Sequence, residues 1–209
     1  MGKNTLMFRA SQIGRIMAYP DKDKLPDGAI TYIQELASQS ILEWKDKDNS
    51  FFATEKGILV EDESIALFNS VTGNFFIKNT ERRNNGLITG ECDIIEGDIV
   101  WDIKSSYSKK THELFINLKS NKLYFWQLVS YAELWNVSEA GLAKVLVDTP
   151  MGLIDTRKDE NDWHIVSHIE PRKRVTYKSM QVTTELKEQL MNRAKLAQNK
   201  LNEMLAEYK

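Results

Sequence analysis

The chain has 209 residues, of which 42% are hydrophobic and 28% are charged. These fractions are typical of a globular protein and exclude a disordered chain, and the length is enough for one domain with a buried core. The formal net charge is −2 at pH 7, so the chain lacks the overall positive charge that many nucleic-acid-binding proteins carry. The single cysteine, Cys92, excludes a disulfide framework or an all-cysteine metal site within one chain.

No run of apolar residues approaches the roughly 18 that a membrane helix needs. The N-terminal segment also lacks the apolar stretch of a secretory signal. We therefore expect a cytoplasmic protein with no membrane partner. The histidines, His112, His164 and His168, are scattered along the chain, and we expect structural or solvent-facing positions for them rather than metal binding.

The N-terminal third of the sequence has the apolar spacing of helices. Three helices are predicted, at residues 10–17, 26–45 and 54–72. Ser11 is the predicted N-cap of the first helix and Thr54 that of the third. Gly73 stands just beyond the third helix, where a glycine commonly ends one.

The middle of the chain changes to short β-rich runs. Three strands are predicted, at residues 74–79, 87–95 and 98–105. The turn residues between them, at 84–86 and 96–98, favour an antiparallel meander.

The last part of the chain returns to alternating helices and strands. We predict a helix at 122–136, strands at 140–148 and 163–170, and a helix at 180–207; His164 and His168 fall in the second of these strands. The element order favours an α/β fold with α+β character, in which one central mixed β-sheet is flanked by helices. One domain is expected over residues 1–209, with helices in 8–72, a sheet and helix in 74–148, and a strand and helix in 160–209.

The run VWDIKSS, residues 100–106, carries the first chemical signal. Side chains alternate along a strand, so Asp102 and Lys104 share one face while Trp101 and Ile103 pack on the other. Asp93 lies on the other arm of the predicted hairpin, where it would face Asp102. Two opposed carboxylates repel each other, and a hard cation such as Mg²⁺ or Mn²⁺ would remove that repulsion. The alternative is an ordinary exposed strand on which Lys104 pairs with Asp102.

Two helices carry further polar groups. Residues 61–63 form an acidic cluster, Glu61, Asp62 and Glu63, of which at most two can reach one site; the alternative is a solvated helix face. Gln127 and Tyr131 are four residues apart and share a helix face. They form either a buried hydrogen-bonded pair or part of a cleft.

Three basic groups interrupt the otherwise neutral chain, at residues 82–83, 109–110 and 172–174. Each is either a solvated surface or a contact for phosphate.

Four motifs follow one another in order: G-x-x-x-E (Gly57, Glu61), G-x-x-D (Gly90, Asp93), D-x-K (Asp102, Lys104) and Q-x-x-x-Y (Gln127, Tyr131). This order resembles the PD-(D/E)XK nuclease superfamily, and more closely the branch of phage lambda exonuclease and the YqaJ-type viral recombinases. The resemblance covers residues 8–148 and implies the restriction-endonuclease-like core of that superfamily. Two departures are Asp102, where the branch often has Glu, and Cys92, which stands where a proline is common.

The resemblance implies a role for each matched residue. Asp93, Asp102, Glu61 and the backbone carbonyl of Ile103 would bind Mg²⁺ or Mn²⁺. Lys104 would position the attacking water.

The same resemblance implies supporting and substrate-binding roles. Gln127 and Tyr131 would support the site or contact the DNA strand. Arg9 and Ser11 lie where the branch binds a 5′-phosphate.

The implied function is a metal-dependent DNA exonuclease that acts 5′→3′ on linear duplex DNA in phage-type recombination or repair. Implied partners are DNA ends, further copies of the chain in a homo-oligomer, and a single-strand annealing protein. A phage-encoded protein would act in the cytoplasm of the bacterial host. The alternatives are an endonuclease of the same superfamily and a non-cleaving DNA-binding or interaction protein with a nuclease fold.

Overall fold

A computed structural model of the chain describes residues 6–44, 52–155 and 161–208. Its strands are β1 (Phe8–Arg9), β2 (Arg83–Asn84), β3 (Ile88–Gly90), β4 (Ile94–Glu96), β5 (Ile99–Ser105), β6 (Glu139–Val145) and β7 (Val175–Gln181). Its α-helices are α1 (Asp27–Ile41), α2 (Phe52–Leu59), α3 (Glu61–Thr72), α4 (Lys122–Trp135), α5 (Asn161–His164) and α6 (Thr184–Ala206). None of these helices combines the length and the apolar character needed to cross a membrane.

The strands form two mixed sheets rather than the single central sheet that the sequence predicts. The larger sheet has the order β4-β5-β6-β7, with β5 and β6 parallel and the two outer pairs antiparallel. In the smaller sheet β3 lies between β1, which is parallel to it, and β2, which is antiparallel. Helix α4 packs against strands of both sheets. The predicted α/β class with mixed sheets is confirmed, and the prediction of one sheet is wrong.

The two sheets separate within the predicted strand at 87–95. Its first part forms β3 and its last part forms β4. The end of β3 is crowded: a Cβ added to Gly90 would lie 2.8 Å from the Cβ of Ala10 and 2.9 Å from Cε1 of Tyr131. Residues 91–93 then belong to neither strand, although the N–H of Asp93 still donates to the carbonyl oxygen of Trp101 at 3.1 Å. The predicted strand at 74–79 is also wrong, since this segment contributes only an isolated bridge between Lys78 and Ile94.

The N-terminal helices differ from the prediction in their type and their ends. The predicted helix at 10–17 is a 3₁₀ helix over Ala10–Ile16. Ser11 lies inside it while Arg9 precedes it, so Ser11 is not its N-cap. Helix α1 ends at Ile41, earlier than predicted; the end of the predicted range, residue 45, lies outside the described residues.

The predicted helix at 54–72 is two helices, α2 and α3, which meet at Val60. Thr54 lies inside α2 and is not an N-cap. Gly73 ends α3 with a φ of 73°, in the left-handed region that favours glycine, so this predicted end is confirmed.

The predicted strand at 163–170 is wrong. The carboxylate of Asp148 accepts the backbone N–H groups of Val166 and Ser167, which holds this segment as a turn after α5. His164 is buried beside Thr149, with 3.1 Å between Nδ1 and Oγ1, and His168 is exposed. The last strand of the sheet is β7, and α6 follows it with Thr183 as N-cap.

The larger sheet separates two packing layers. Trp101 and Ile103 of β5 face α3, where the ring of Trp101 lies 5.1 Å from that of Phe68. Trp101 covers its β6 partner Gly141 so closely that a Cβ there would lie 2.3 Å from the ring. The opposite face of β5 carries Asp102 towards α4, as the alternation predicts.

Helix α2 is anchored to the ends of β5 and β6 by a buried lysine. The Lys56 Nζ donates hydrogen bonds to the carbonyl oxygens of Ser106 at 2.8 Å, Tyr107 at 3.2 Å and Val147 at 2.7 Å. Burial lowers the pKa of Lys56 to about 8, although Asp148 and Glu63 oppose the shift. Because one buried ammonium group joins three backbone carbonyls beyond the ends of the two strands, this lysine fixes α2 against the sheet.

Replacement of this anchor tests its importance. We expect Lys56→Met to lower the free energy of unfolding by about 3 kcal/mol, because it leaves buried carbonyl groups without donors. The matched control is Lys200→Met on α6, where Lys200 pairs with Glu203 on the surface and the loss should be below about 0.5 kcal/mol. Denaturant titration measures both values. Equal stabilities of the two variants would contradict the anchoring role.

Candidate active site

A cleft of about 630 Å³ opens beside the carboxyl-terminal half of β5. Four of the predicted site residues line it: Glu61, Asp93, Ile103 and Lys104. Its walls also include residues that the motifs did not indicate: Ser106, Thr111, Glu113, Tyr124 and Lys144. Asp102, Gln127 and Tyr131 lie buried behind this surface.

Asp102 is the most enclosed acid of the site, with a relative exposure of 2%. Its Oδ1 accepts hydrogen bonds from Lys104 Nζ at 2.9 Å and from Gln127 Nε2 at 3.0 Å. Its Oδ2 is buried and has no hydrogen-bond partner among the described residues. A buried carboxylate oxygen without a partner is unfavourable, so this atom is available to a ligand.

Asp93 lies just before β4 and reaches across the hairpin, as predicted. Its Oδ2 accepts the backbone N–H of Ile103 at 2.5 Å. Burial and the neighbouring charge of Asp102 raise the pKa of Asp93 to about 7, although Lys104 and the Ile103 N–H oppose the shift. The negative charge of the Asp93–Asp102 pair is therefore not fully balanced by the positive groups around it at neutral pH.

Lys104 is the cation that is hydrogen-bonded to Asp102. Burial lowers its pKa, but the carboxylates of Asp102 and Asp93 outweigh this effect, and the net pKa of Lys104 lies above its usual value. The side chain is therefore an ammonium group at neutral pH. It can stabilise negative charge and orient a water molecule, but it is too basic to act as a general base.

Helix α4 supports the buried acid from the opposite side. Gln127 Nε2 donates to Tyr131 Oη at 2.8 Å as well as to Asp102. The side chain of Asn121 caps the helix by accepting the N–H groups of Leu123 and Tyr124. The predicted Gln–Tyr pair is therefore buried and fixes the orientation of Asp102.

Of the three acids at 61–63, Glu61 alone reaches the cleft. Its carboxylate is 2.8 Å from the ammonium of Lys78, and Asp62 and Glu63 are exposed. Glu61 contributes to the raised pKa of Asp93. Within the described parts of the chain, no three His, Cys, Asp or Glu side chains already converge on one point.

Other predicted contacts lie away from the cleft. Arg9 is exposed and Ser11 half-buried, and neither is among the residues that line it. Arg83 pairs with Glu81 at 2.9 Å and lies over the ring of Trp135.

Lys144 was missed by the sequence motifs. The signal was a lysine in the middle of the predicted strand at 140–148, where the other residues up to 147 are apolar or glycine. Its meaning depends on the register of β5 with β6, which pairs Lys104 with Lys144.

No protein-family model and no curated protein sequence matches the chain. Among solved structures it is similar to a phage-related exonuclease from Haemophilus somnus 129PT, with a TM-score of 0.90 and 29% identity over 98% of this chain and 97% of that one. It also shares its fold with the alkaline exonuclease LHK-Exo from Laribacter hongkongensis, with a TM-score of 0.69 and 13% identity over 97% of this chain and 91% of that one. The complex of LHK-Exo with dAMP gives a TM-score of 0.64 at 12% identity over the same shares.

The likeness extends over nearly the whole of each chain. The four motifs lie, in the expected order, in and behind one cleft of that shared fold. The chain therefore has the fold of these exonucleases, and this likeness is consistent with the resemblance of its motifs to the PD-(D/E)XK nuclease superfamily, in the branch of phage lambda exonuclease and the YqaJ-type viral recombinases.

Proposed function

We propose that the chain is a metal-dependent DNA exonuclease that hydrolyses phosphodiester bonds from the 5′ ends of linear duplex DNA. The observation that carries this proposal is the pair Asp93–Asp102 beside Lys104, with a buried carboxylate oxygen left without a partner. The similar proteins named exonucleases support the same class of reaction. The complex of LHK-Exo with dAMP supports a nucleic-acid substrate.

The residues of the site fit a small divalent cation. Mg²⁺ is commonly held by one or two carboxylates and keeps several waters, and Asp93 and Asp102 supply two carboxylates whose charge is not balanced. The backbone carbonyl of Ile103 and the carboxylate of Glu61 are the further proposed ligands. When bound, Mg²⁺ or Mn²⁺ would activate a water and stabilise the leaving oxygen.

The other side chains of the site position the water, stabilise charge and orient the acids. Lys104 holds the attacking water and stabilises the charge that develops on the phosphate, because it stays protonated. Gln127 and Tyr131 keep Asp102 in one orientation. Glu61 is held towards the cleft by Lys78.

The finer predictions of substrate and assembly rest on the family resemblance. These are 5′-phosphate binding by Arg9 and Ser11, a homo-oligomer, a single-strand annealing partner, and a role in phage-type recombination or repair in the bacterial cytoplasm. They stay predictions.

Digestion of end-labelled DNA tests the proposed function. Linear duplex DNA labelled at either the 5′ or the 3′ end is incubated with Mg²⁺ or with EDTA, beside a closed circular duplex. We expect Mg²⁺-dependent loss of the linear DNA, early release of the 5′ label, late release of the 3′ label, and an intact circle. Cutting of the circle would indicate an endonuclease, and binding without cutting would indicate a non-cleaving protein.

Substitution of the central acid tests the assigned site. We expect Asp102→Asn to lower the rate about a thousandfold, because it removes the charge on which both metal binding and the position of Lys104 depend. Asp62→Asn is the matched control, since Asp62 belongs to the neighbouring acidic cluster but is exposed, and its rate should stay within about twofold of the wild type. Equal rates for both variants would contradict the assignment.

The raised pKa of Asp93 predicts a pH-dependent stability in the metal-free protein. The folded state binds the proton of Asp93 up to about pH 7, whereas the usual value is 3.8. This group's contribution to the free energy of unfolding therefore falls as the pH rises from about 4 through 7. In EDTA at pH 8, we expect Asp93→Asn to be more stable than the wild type by roughly 2 kcal/mol, and the difference should vanish near pH 4.

Denaturant titrations of both proteins across this pH range measure that difference. Mg²⁺ added at pH 8 should stabilise the wild type more than Asp93→Asn. A variant less stable than the wild type at pH 8 would show that the aspartate charge is not repelled in the folded protein.

A further inference from the structure

A second lysine, Lys144, faces the cleft beside Lys104. The two residues are direct partners across the parallel strands β5 and β6, so their side chains project from the same face of the sheet. Lys144 is 8% exposed and lines the cleft together with Lys104. The four sequence motifs assign it no role.

Both ammonium groups are placed by one aromatic ring of α4. The Nζ atom of Lys144 lies 4.4 Å from the centroid of the Tyr124 ring, and that of Lys104 lies 5.9 Å from it. A cation over the face of a ring is attracted by the ring electrons. Tyr124 therefore holds the two charges along one wall of the cleft before any ligand arrives.

The charge of Lys144 is only loosely balanced. Among the described residues its ion pair is with Glu113, at 3.7 Å between Nζ and Oε1, and the Glu113 side chain is 56% exposed. Burial, followed by the charge of Lys144, lowers the pKa of nearby His112. A buried cation is favourable only with a close anionic partner, so the wall formed by Lys144 and Tyr124 favours an anion that enters the cleft.

We infer that Lys144 binds a backbone phosphate of the DNA strand in the cleft, next to the phosphate that is cleaved, and that this phosphate displaces Glu113. The inference rests on the proposed function, because it takes DNA as the ligand. Lys104 is hydrogen-bonded to Asp102 and, in the proposed function, stabilises the charge on the phosphate that is cleaved. Lys144 lies one strand, about 4.8 Å, further from Asp93, because the strand order is β4-β5-β6. This offset places it at the neighbouring phosphate.

DNA binding without cleavage tests the inference. The affinity for a fluorescent linear duplex is measured by anisotropy in EDTA, at several salt concentrations, for the wild type and for Lys144→Met, Lys144→Arg, Glu113→Gln and the surface control Lys200→Met. We expect Lys144→Met to bind about tenfold more weakly and to reduce the magnitude of the slope of log affinity against log salt by about 0.9, the value of one phosphate contact. Lys144→Arg and Lys200→Met should keep the wild-type slope.

Glu113→Gln gives an effect of opposite sign. Because it removes the anion that competes with phosphate for Lys144, it should tighten binding about threefold at low salt, and the gain should shrink as salt rises. In Mg²⁺, Lys144→Met should raise the KM for DNA more than it lowers kcat. Inorganic phosphate and dAMP are added as competitors. Either one at low concentration should block a subsite for free phosphate, whereas a subsite for the DNA backbone should still bind DNA.

Several results would overturn the inference. They are an unchanged salt slope for Lys144→Met, a weaker affinity for Glu113→Gln that matches Lys144→Met, and complete block by inorganic phosphate at low concentration. Melting curves of each variant show whether a loss of binding arises from a loss of folding; in that case the slope of Lys144→Arg decides. Failure of the wild type itself to bind or cut DNA would contradict the proposed function instead.

Discussion

Two carboxylates are held close together where burial opposes their charge, and the rest of the structure depends on this pair. Asp102 projects from the middle of β5, and Asp93 reaches it from the other arm of the hairpin. Burial, followed by repulsion from Asp102, raises the pKa of Asp93, and one oxygen of Asp102 has no partner among the described residues. Such a pair destabilises the metal-free fold, so the surrounding elements must hold it in place.

Strand β5 provides both the core residues that hold the pair in place and the polar residues of the candidate site. Along β5, Trp101 and Ile103 pack against α3, while Asp102 and Lys104 turn to the opposite face. The close contact of Trp101 with Gly141 fixes β5 against β6. Because core and site residues alternate along seven residues of one strand, a change that disturbs the core also displaces the site.

Local patterns were enough to predict which side chains come together at the centre of the candidate site. Alternation along β5 placed Asp102 and Lys104 on one face, the hairpin turn brought in Asp93, and the spacing of four residues paired Gln127 with Tyr131. Each of these relations is set by the geometry of one element or one tight turn. The order of the four motifs then extended the interpretation from a local site to a fold.

Contacts between distant parts of the chain explain what the sequence did not predict. The alternating run at 163–170 is a turn because Asp148 binds its backbone N–H groups. The run at 87–95 divides between two sheets because Gly90 is packed against α4 and the N-terminal 3₁₀ helix. Lys144 enters the cleft only through the register of β5 with β6. Propensity and periodicity carry no information about such contacts.

Diffraction from crystals grown with Mn²⁺ tests the central claim, that the Asp93–Asp102 pair is a metal site, most directly. Anomalous scattering locates Mn²⁺ without any assumption about activity. The predicted result is a peak at coordination distance from Asp102 Oδ2 and the Asp93 carboxylate, which disappears in Asp102→Asn. A well-ordered cleft with no peak there, or a peak elsewhere that survives the substitution, would contradict the claim.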